Sequence, residues 1–503
     1  MIEGILLGLE TVLTLQNLLL VVAGCAVGTI IGMIPGLGPI SAIALMIPVT
    51  YGFDPASGMI LLAGVYYGAI FGGSTSSILI NAPGVAGTVA TSFDGYPMAR
   101  GGEPGKALAI AAWASFAGGT IAAIILVITA PYLAKVSLSF RSADYFMLML
   151  LGLSLVAAFA GKGEYLKALA MTVFGLMLST VGTDLSAGVQ RFTFGRLDLI
   201  DGISFLLLAM ATFALAEAIM MVLKPDQNSR LRVDSASMHL SMKEARALAP
   251  TVGRSSVLGF FVGVLPGAGA TIASFLAYGV ARGLASRDEQ ATFGKGNQKG
   301  LAAPETANNA ACTGSFVPLL TLGIPGSGTT AILLGALIAY GIQPGPRLFV
   351  DEPQIFWAVI VSMYIGNIVL LILNLPLIPY IARLLAVPGS YLVPLILFFS
   401  VMGVYLVSFN TFDIQMMVVV ALVAVGLRLM AFPMAPLLLG FILGGMLEDN
   451  LRRAFILSGG EFAFLWERPM TLALVILTTF TLFVPLLRSI IERIRTRSAV
   501  RGL

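Results

Sequence analysis

Residues 28–38 read GTIIGMIPGLG, and residues 259–269 read GFFVGVLPGAG. Gly28, Gly32, Pro35, Gly36 and Gly38 fall on Gly259, Gly263, Pro266, Gly267 and Gly269 at a constant offset of 231. Both stretches sit in long apolar runs, where glycine weakens a helix and proline breaks it. Five Gly and Pro positions at identical spacing mark an internal duplication, which bears on the whole architecture.

The duplication extends further. NAPGVAG begins at Asn81 and GIPGSGT at Gly323, so that Pro83–Gly84 matches Pro325–Gly326. Counting back from each proline, Gly72 aligns with Gly314. DGYPMARGGEPG (94–105) resembles LGALIAYGIQPG (334–345), with Gly95, Gly101, Pro104 and Gly105 on Gly335, Gly341, Pro344 and Gly345. Each half thus holds two Pro-Gly breaks in the same order.

The surrounding composition is that of a membrane protein. Of 503 residues, 58% are hydrophobic and 11% charged, against about 25% charged in soluble domains. Runs such as Ala109–Ala134 and Leu472–Leu487 are almost wholly apolar, and a bilayer core takes about 20 such residues per helix. They do not alternate as barrel strands do. The reading is all-α: a polytopic membrane protein with two inverted structural repeats, broken or re-entrant helices and roughly 12 or more membrane segments. Segments at 40–50, 252–265, 329–342 and 433–447 are too short to cross alone and read as half-helices, re-entrant arms or parts of broken helices.

Two basic stretches set the predicted topology. One holds Lys224, Arg230, Arg232, Lys243, Arg246 and Arg254; the other holds Arg488, Arg493, Arg495, Arg497 and Arg501. Both are placed in the cytoplasm by the positive-inside rule, which explains the net charge of +4 better than nucleic-acid binding does. The predicted organisation is a first membrane repeat over 1–223, a basic cytoplasmic linker over 224–251, a second repeat over 252–487 and a basic cytoplasmic tail over 488–503. The first residues carry Glu3 and Glu10 rather than a basic n-region, so no cleavable signal peptide is expected. Cys25 and Cys312 lie in apolar segments and read as packing residues. His239, the single histidine, falls in the basic centre and reads as solvated. With no HExxH, paired acids or Ser/His arrangement, an enzyme is not expected.

The breaks are the candidate site. A break frees backbone carbonyls for a cation, and its half-helix N-terminus attracts an anion. The cation-binding candidates are Pro35, Gly36, Gly38, Pro266, Gly267 and Gly269, with Glu305 and Thr306. The substrate-binding candidates are Ser74, Thr75, Ser76, Asn81, Pro83 and Gly84 in the first half. In the second half they are Asn308, Asn309, Pro325, Gly326, Ser327 and Thr329. Plainer roles stand beside these. Gly28, Gly32, Gly259 and Gly263 fit G-x-x-x-G packing, and the asparagines fit helix–helix hydrogen bonding. Glu305 is either an intramembrane ligand for a cation or proton, or a charge in the first turn of a helix begun by Pro304. Ser327, Thr329 and Thr330 could cap the following helix. Arg100 and Lys106 read as interfacial anchors more readily than as carboxylate ligands.

Three segments carry a family resemblance: GTIIGMIPGLG, INAPGVAGTVATSFDGYPMARGGEPGKALAIAA and FVPLLTLGIPGSGTTAILLGAL. They resemble the large membrane subunit of tripartite tricarboxylate transporters, the TctA family, over nearly the full chain. The resemblance implies a secondary transporter of the bacterial inner membrane, with no cofactor beyond Na⁺ or H⁺ as coupling ion. It implies a periplasmic solute-binding protein and a small membrane subunit as partners, and citrate-like di- or tricarboxylates as substrates. The alternatives are an ion channel, which would favour rings of acids, and a stand-alone secondary carrier of another small anion.

Overall fold

The computed structural model describes residues 1–34, 37–81, 83–158, 165–184, 187–223, 238, 240–266, 269–381 and 389–483. Pro35, Gly36, Gly267, His239, most of the basic centre and the whole basic tail lie outside the described residues. Among the described residues, apart from one short hairpin, Gly182–Asp184 with Val189–Arg191, the regular structure is helical. Seven described helices are long and apolar enough to cross a membrane. The protein is a multi-pass membrane protein.

The chain divides into two compact units, which cut across the halves of the sequence repeat. One comprises Met1–Lys135 with Leu206–Val425, the other Val136–Phe205 with Gly426–Leu503. The first unit opens with α1 (Ile2–Val12), α2 (Leu15–Met33), α3 (Gly38–Thr50), α4 (Pro55–Ile80), α5 (Val89–Arg100) and α6 (Pro104–Ser137, here through Lys135). In the second half of the chain it continues with α7 (Met242–Val264), α8 (Gly269–Gly283), α9 (Gln298–Gly314), α10 (Phe316–Leu322), α11 (Gly328–Ala339) and α12 (Pro353–Asn374).

The described residues flanking the two first breaks have the same local backbone. Helix α2 ends at Ile34 (φ −79°, ψ 115°) and α7 at Leu265 (φ −74°, ψ 121°). The next helices begin at Gly38 (φ 57°) and Gly269 (φ 61°). This left-handed conformation is one that glycine adopts without a Cβ penalty.

Packing repeats as closely as conformation. A side chain at Gly28 would collide with the Val65 carbonyl, and one at Gly32 with that of Ala69. The counterparts Gly259 and Gly263 press in the same way on Ala307 and Ala311. From the other helix of each pair, Gly72 meets the Thr29 carbonyl and Gly314 the Phe260 carbonyl. Small residues at four-residue spacing let backbones approach where lipid offers no hydrophobic drive for association. Helix α4 is the inner member of its pair, enclosed by protein along its length.

Several segment expectations change. The segment 252–265 is no half-helix. It is the end of the 23-residue α7, which starts at Met242 with a Ser241–Glu244 capping box. Its charged first turns disguised a spanning helix as linker. The segment 433–447 belongs to another 23-residue helix, Ala435–Leu457. Short helices do occur at α3 and α11, with 13 and 12 residues. Pro304 does not start a helix, because α9 begins six residues earlier behind Asn297, whose side chain accepts from Gly300 N at 2.9 Å.

In the second unit, helices Tyr165–Leu178 and Ala435–Leu457 pack through glycine. Gly175 lies against the Leu437 carbonyl and Gly440 against that of Thr172. Arg452 ties Asp184 (2.6 Å) to Glu448 (2.7 Å), and Arg191 joins Glu448 at 2.9 Å. Asp144, fully buried, pairs with Arg468 and Thr471.

Candidate functional site

Glu305 sits mid-helix on α9 with no exposure. Its carboxylate accepts from three hydroxyls on three other helices: Ser74 on α4 (2.6 Å), Thr91 on α5 and Ser115 on α6 (3.0 Å). The Asn309 side-chain amide donates to Ser115 Oγ (2.8 Å) and to the Glu305 carbonyl (3.0 Å). An intramembrane acid is costly and requires polar company. Here the acid comes from the second half of the chain and its three hydroxyl donors from the first. A small cavity adjoins the cluster, its polar wall formed by Ser74, Thr75, Ser115 and Asn374.

The second breaks form the other part of the site. Helix α4 ends at Asn81 (φ 52°) and α10 at Gly323 (φ 69°), both left-handed. After them, Gly84 presses on the Gly32 carbonyl and Gly326 approaches that of Gly263 at 3.0 Å from its Cβ position. Each Pro-Gly tip is thus seated against the glycine helix that precedes the first break of its own half. Ser76 Oγ accepts from Gly84 N at 3.1 Å, while Ser77 donates to Thr88 at 2.7 Å. Ser327 caps α11 with Thr330 in a reciprocal box. Its hydroxyl and that of Ser315 each lie 3.4 Å from the Tyr66 hydroxyl.

The structure therefore gathers the sequence candidates into different environments. Ser74, Glu305 and Asn309 meet directly. Thr75 lines the cavity, whereas Ser76, Gly84, Gly326 and Ser327 build the tips. Asn81 is exposed and Pro83 partly so, while Pro325 and Thr329 are buried. Thr306 donates to the Ala302 carbonyl of its own helix at 2.8 Å. Gly38 and Gly269 start helices, and Pro266 lies in the turn before Gly269. Asn308 is fully buried, and neither polar atom of its side chain has a partner. Arg100 is exposed, and Lys106 pairs with Glu244 at 2.7 Å, joining α6 to the first turn of α7.

Sequence reading missed Thr91, Ser115, Tyr66 and Asp94. Asp94 belongs to the DGYPMAR segment and is fully buried. One of its oxygens accepts from the backbone N–H groups of Gly294, Gly296 and Asn297 at 2.9, 2.9 and 2.7 Å. That carboxylate pins the loop before α9 to α5, and so fixes the register of the helix that carries Glu305. Its DG pairing was the available signal, but its partners lie 200 residues away.

A helical multi-pass protein whose duplicated, broken helices enclose a carboxylate has the build of a membrane transporter subunit. The chain belongs to the Tripartite tricarboxylate transporter TctA family, whose model matches residues 18–439. It is 43% identical over 491 residues, 97% of either chain, to an uncharacterized 52.8 kDa protein in the TAR-I ttuC' 3' region of Agrobacterium vitis. It is also 43% identical over 232 residues to an uncharacterized protein in the TAR-II ttuC' 3' region of the same organism, covering 46% of this chain and 95% of that one. No solved structure matches.

Proposed function

We propose that this chain is the large, substrate-translocating subunit of a binding-protein-dependent secondary transporter that takes up di- or tricarboxylates with Na⁺. In this reading 1–223 and 252–487 are repeats inserted in opposite orientations in the bacterial inner membrane, with 12 or more segments between them. The basic linker, 224–251 by sequence with its last residues forming the start of α7, and the tail 488–503 are cytoplasmic. A periplasmic solute-binding protein delivers the anion, and a small membrane subunit completes the complex.

One observation carries the reading: the fully buried Glu305, held by hydroxyls from three other helices beside a cavity. A carboxylate with hydroxyl oxygens is hard-donor chemistry that suits a small cation. Bound Na⁺ neutralises the acid, and the Ser74, Thr91 and Ser115 hydroxyls turn their lone pairs to the ion. The glycine-lined breaks next to it leave room for backbone groups to approach the anion.

The test is uptake of radiolabelled citrate by proteoliposomes holding the chain with its small subunit. The expected result is uptake that requires both an inward Na⁺ gradient and the binding protein. Uptake indifferent to both would sink the proposal. Current without substrate would point to a channel, and uptake without binding protein to a stand-alone carrier.

A further inference from the structure

Asn308 is the least satisfied polar side chain near the breaks. It has no exposure, and both its Nδ2 and its Oδ1 lack hydrogen-bond partners. The adjacent Asn309 has two. Buried amides are nearly always paired, so one with two empty valences calls for an explanation.

Its surroundings supply one. A side chain at Gly87 would collide with Asn308 Oδ1 and would stand 3.4 Å from the Ala270 Cβ. The amide therefore faces one element directly, and that element in turn faces a second. The first is the turn Ala86–Thr88, which runs into α5 without a side-chain cap. The other is the first turn of the 15-residue α8. The leading N–H groups of a helix have no intrahelical partner, and its N-terminal end is electropositive. Two such ends, one from each half of the chain, converge on an amide with a spare donor.

We propose that Asn308, Gly87 and the N-terminal turn of α8 form a carboxylate subsite for the transported anion, a step that rests on the carrier reading above. The amide turns so that Nδ2, in place of the Oδ1 that faces Gly87, donates to the carboxylate; the helix N–H groups complete its shell, and glycine at 87 leaves room for that turn. The electropositive helix ends favour an anion over a cation. Asn308 lies three residues beyond Glu305 on α9, and residues at that spacing are neighbours on one helix face. A cation at Glu305 would then stand one turn from the bound anion, so each charge offsets the other and binding of one favours the other.

The test is calorimetric titration of the purified full-length chain in Na⁺ buffer with citrate and, separately, succinate. Wild type should bind at least one of them. Asn308→Ala should weaken that binding about tenfold, and Asn308→Asp, of the same shape but charged, should weaken it further. Gly87→Ala should act like Asn308→Ala by filling the space. Gly87 is not among the positive-φ glycines, so alanine fits its backbone, and this variant decides the matter if the Asn308 variants fail to fold. Unchanged binding by Asn308→Ala or by a folded Gly87→Ala would overturn the subsite while leaving the carrier reading intact. Equal or tighter binding by Asn308→Asp would overturn the anion assignment in favour of a cation. A wild type that binds neither probe would overturn the subsite, while the uptake assay above decides the carrier reading separately.

Discussion

Tyr66–Tyr67 and Asn308–Asn309 occupy the same place in the two copies of the scaffold. They are 242 residues apart, as are the tips Pro83–Gly84 and Pro325–Gly326. Their packing neighbours match too, since Val65 and Ala69 meet Gly28 and Gly32 as Ala307 and Ala311 meet Gly259 and Gly263. Each pair also reaches the tip region of the other half. The Tyr66 hydroxyl lies 3.4 Å from that of Ser327, and Asn308 lies against Gly87. The chemistry nevertheless differs. The tyrosines stack with Phe316, at centroid distances of 5.8 and 5.7 Å, and fill space. The asparagines offer polar atoms and little bulk. Glu305 has Ala63 as its counterpart. The lesson is that close backbone approach fixed the small residues in both copies, while the polar chemistry was placed in one.

The sharpest way to break this comparison is to remove the chemistry and leave the scaffold. Glu305→Gln keeps the shape and its hydroxyl neighbours but deletes the charge. On the proposed Na⁺-coupled reading, uptake should fall on the order of 100-fold, with folded yield retained. Wild-type uptake in this variant would show Glu305 to be a packing element like its counterpart. The complementary experiment attacks the scaffold. Gly32→Val and Gly263→Val each drive a branched side chain into the carbonyl of the facing helix. Both should cost about 1–3 kcal/mol or more and lower the yield of monodisperse protein to a similar degree. Tolerance of one and loss of the other, measured by thermal midpoint in detergent, would show that the two helix pairs are not equivalent.

The scaffold was legible in the sequence because it depends on backbone requirements that only Gly and Pro meet. Gly38 and Gly269 announce a left-handed turn, and Gly28, Gly32, Gly259 and Gly263 announce a close crossing. Glu305 was legible as the lone acid of an apolar stretch. Its ligands were not. Ser and Thr are ordinary in membrane helices, where they bond to their own backbone, and nothing local to Thr91 or Ser115 points to an acid some 200 residues away. Helix α7 was misread at its start for the opposite reason, since a run of charges conceals a helix that becomes apolar only after two turns.

Asp94 tests the part of the site that has no chemical counterpart, because the matching position in 334–345 is Leu334. Asp94→Ala would take the shared acceptor from three N–H groups of a partly exposed loop, and should cost about 1–2 kcal/mol of stability. Asp94→Asn retains an accepting oxygen and should cost less than half as much. Chemical unfolding in mixed micelles measures both. If Asp94→Ala is as stable as wild type, the loop at 294–297 is not pinned by this carboxylate, and the placement of Glu305 needs another cause.

The smallest effect is the most informative about how far the asymmetry extends. Asn81 and Gly323 are counterparts at the ends of α4 and α10, and both are left-handed, at φ 52° and 69°. Asparagine is among the few non-glycine residues that adopt this conformation readily, and it is common at such helix ends. Asn81→Gly installs the residue used by the other half, so stability should stay within about 0.5 kcal/mol of wild type. Asn81→Ala places a Cβ in the left-handed region and should cost about 1 kcal/mol. If the side chain serves only to shape the turn, uptake by the glycine variant matches wild type and the alanine variant is weakened in proportion to its stability. If the glycine variant folds normally and yet loses uptake, the exposed amide of Asn81 acts on the solute itself, and the chemical difference between the halves reaches the Pro-Gly tip as well as α9.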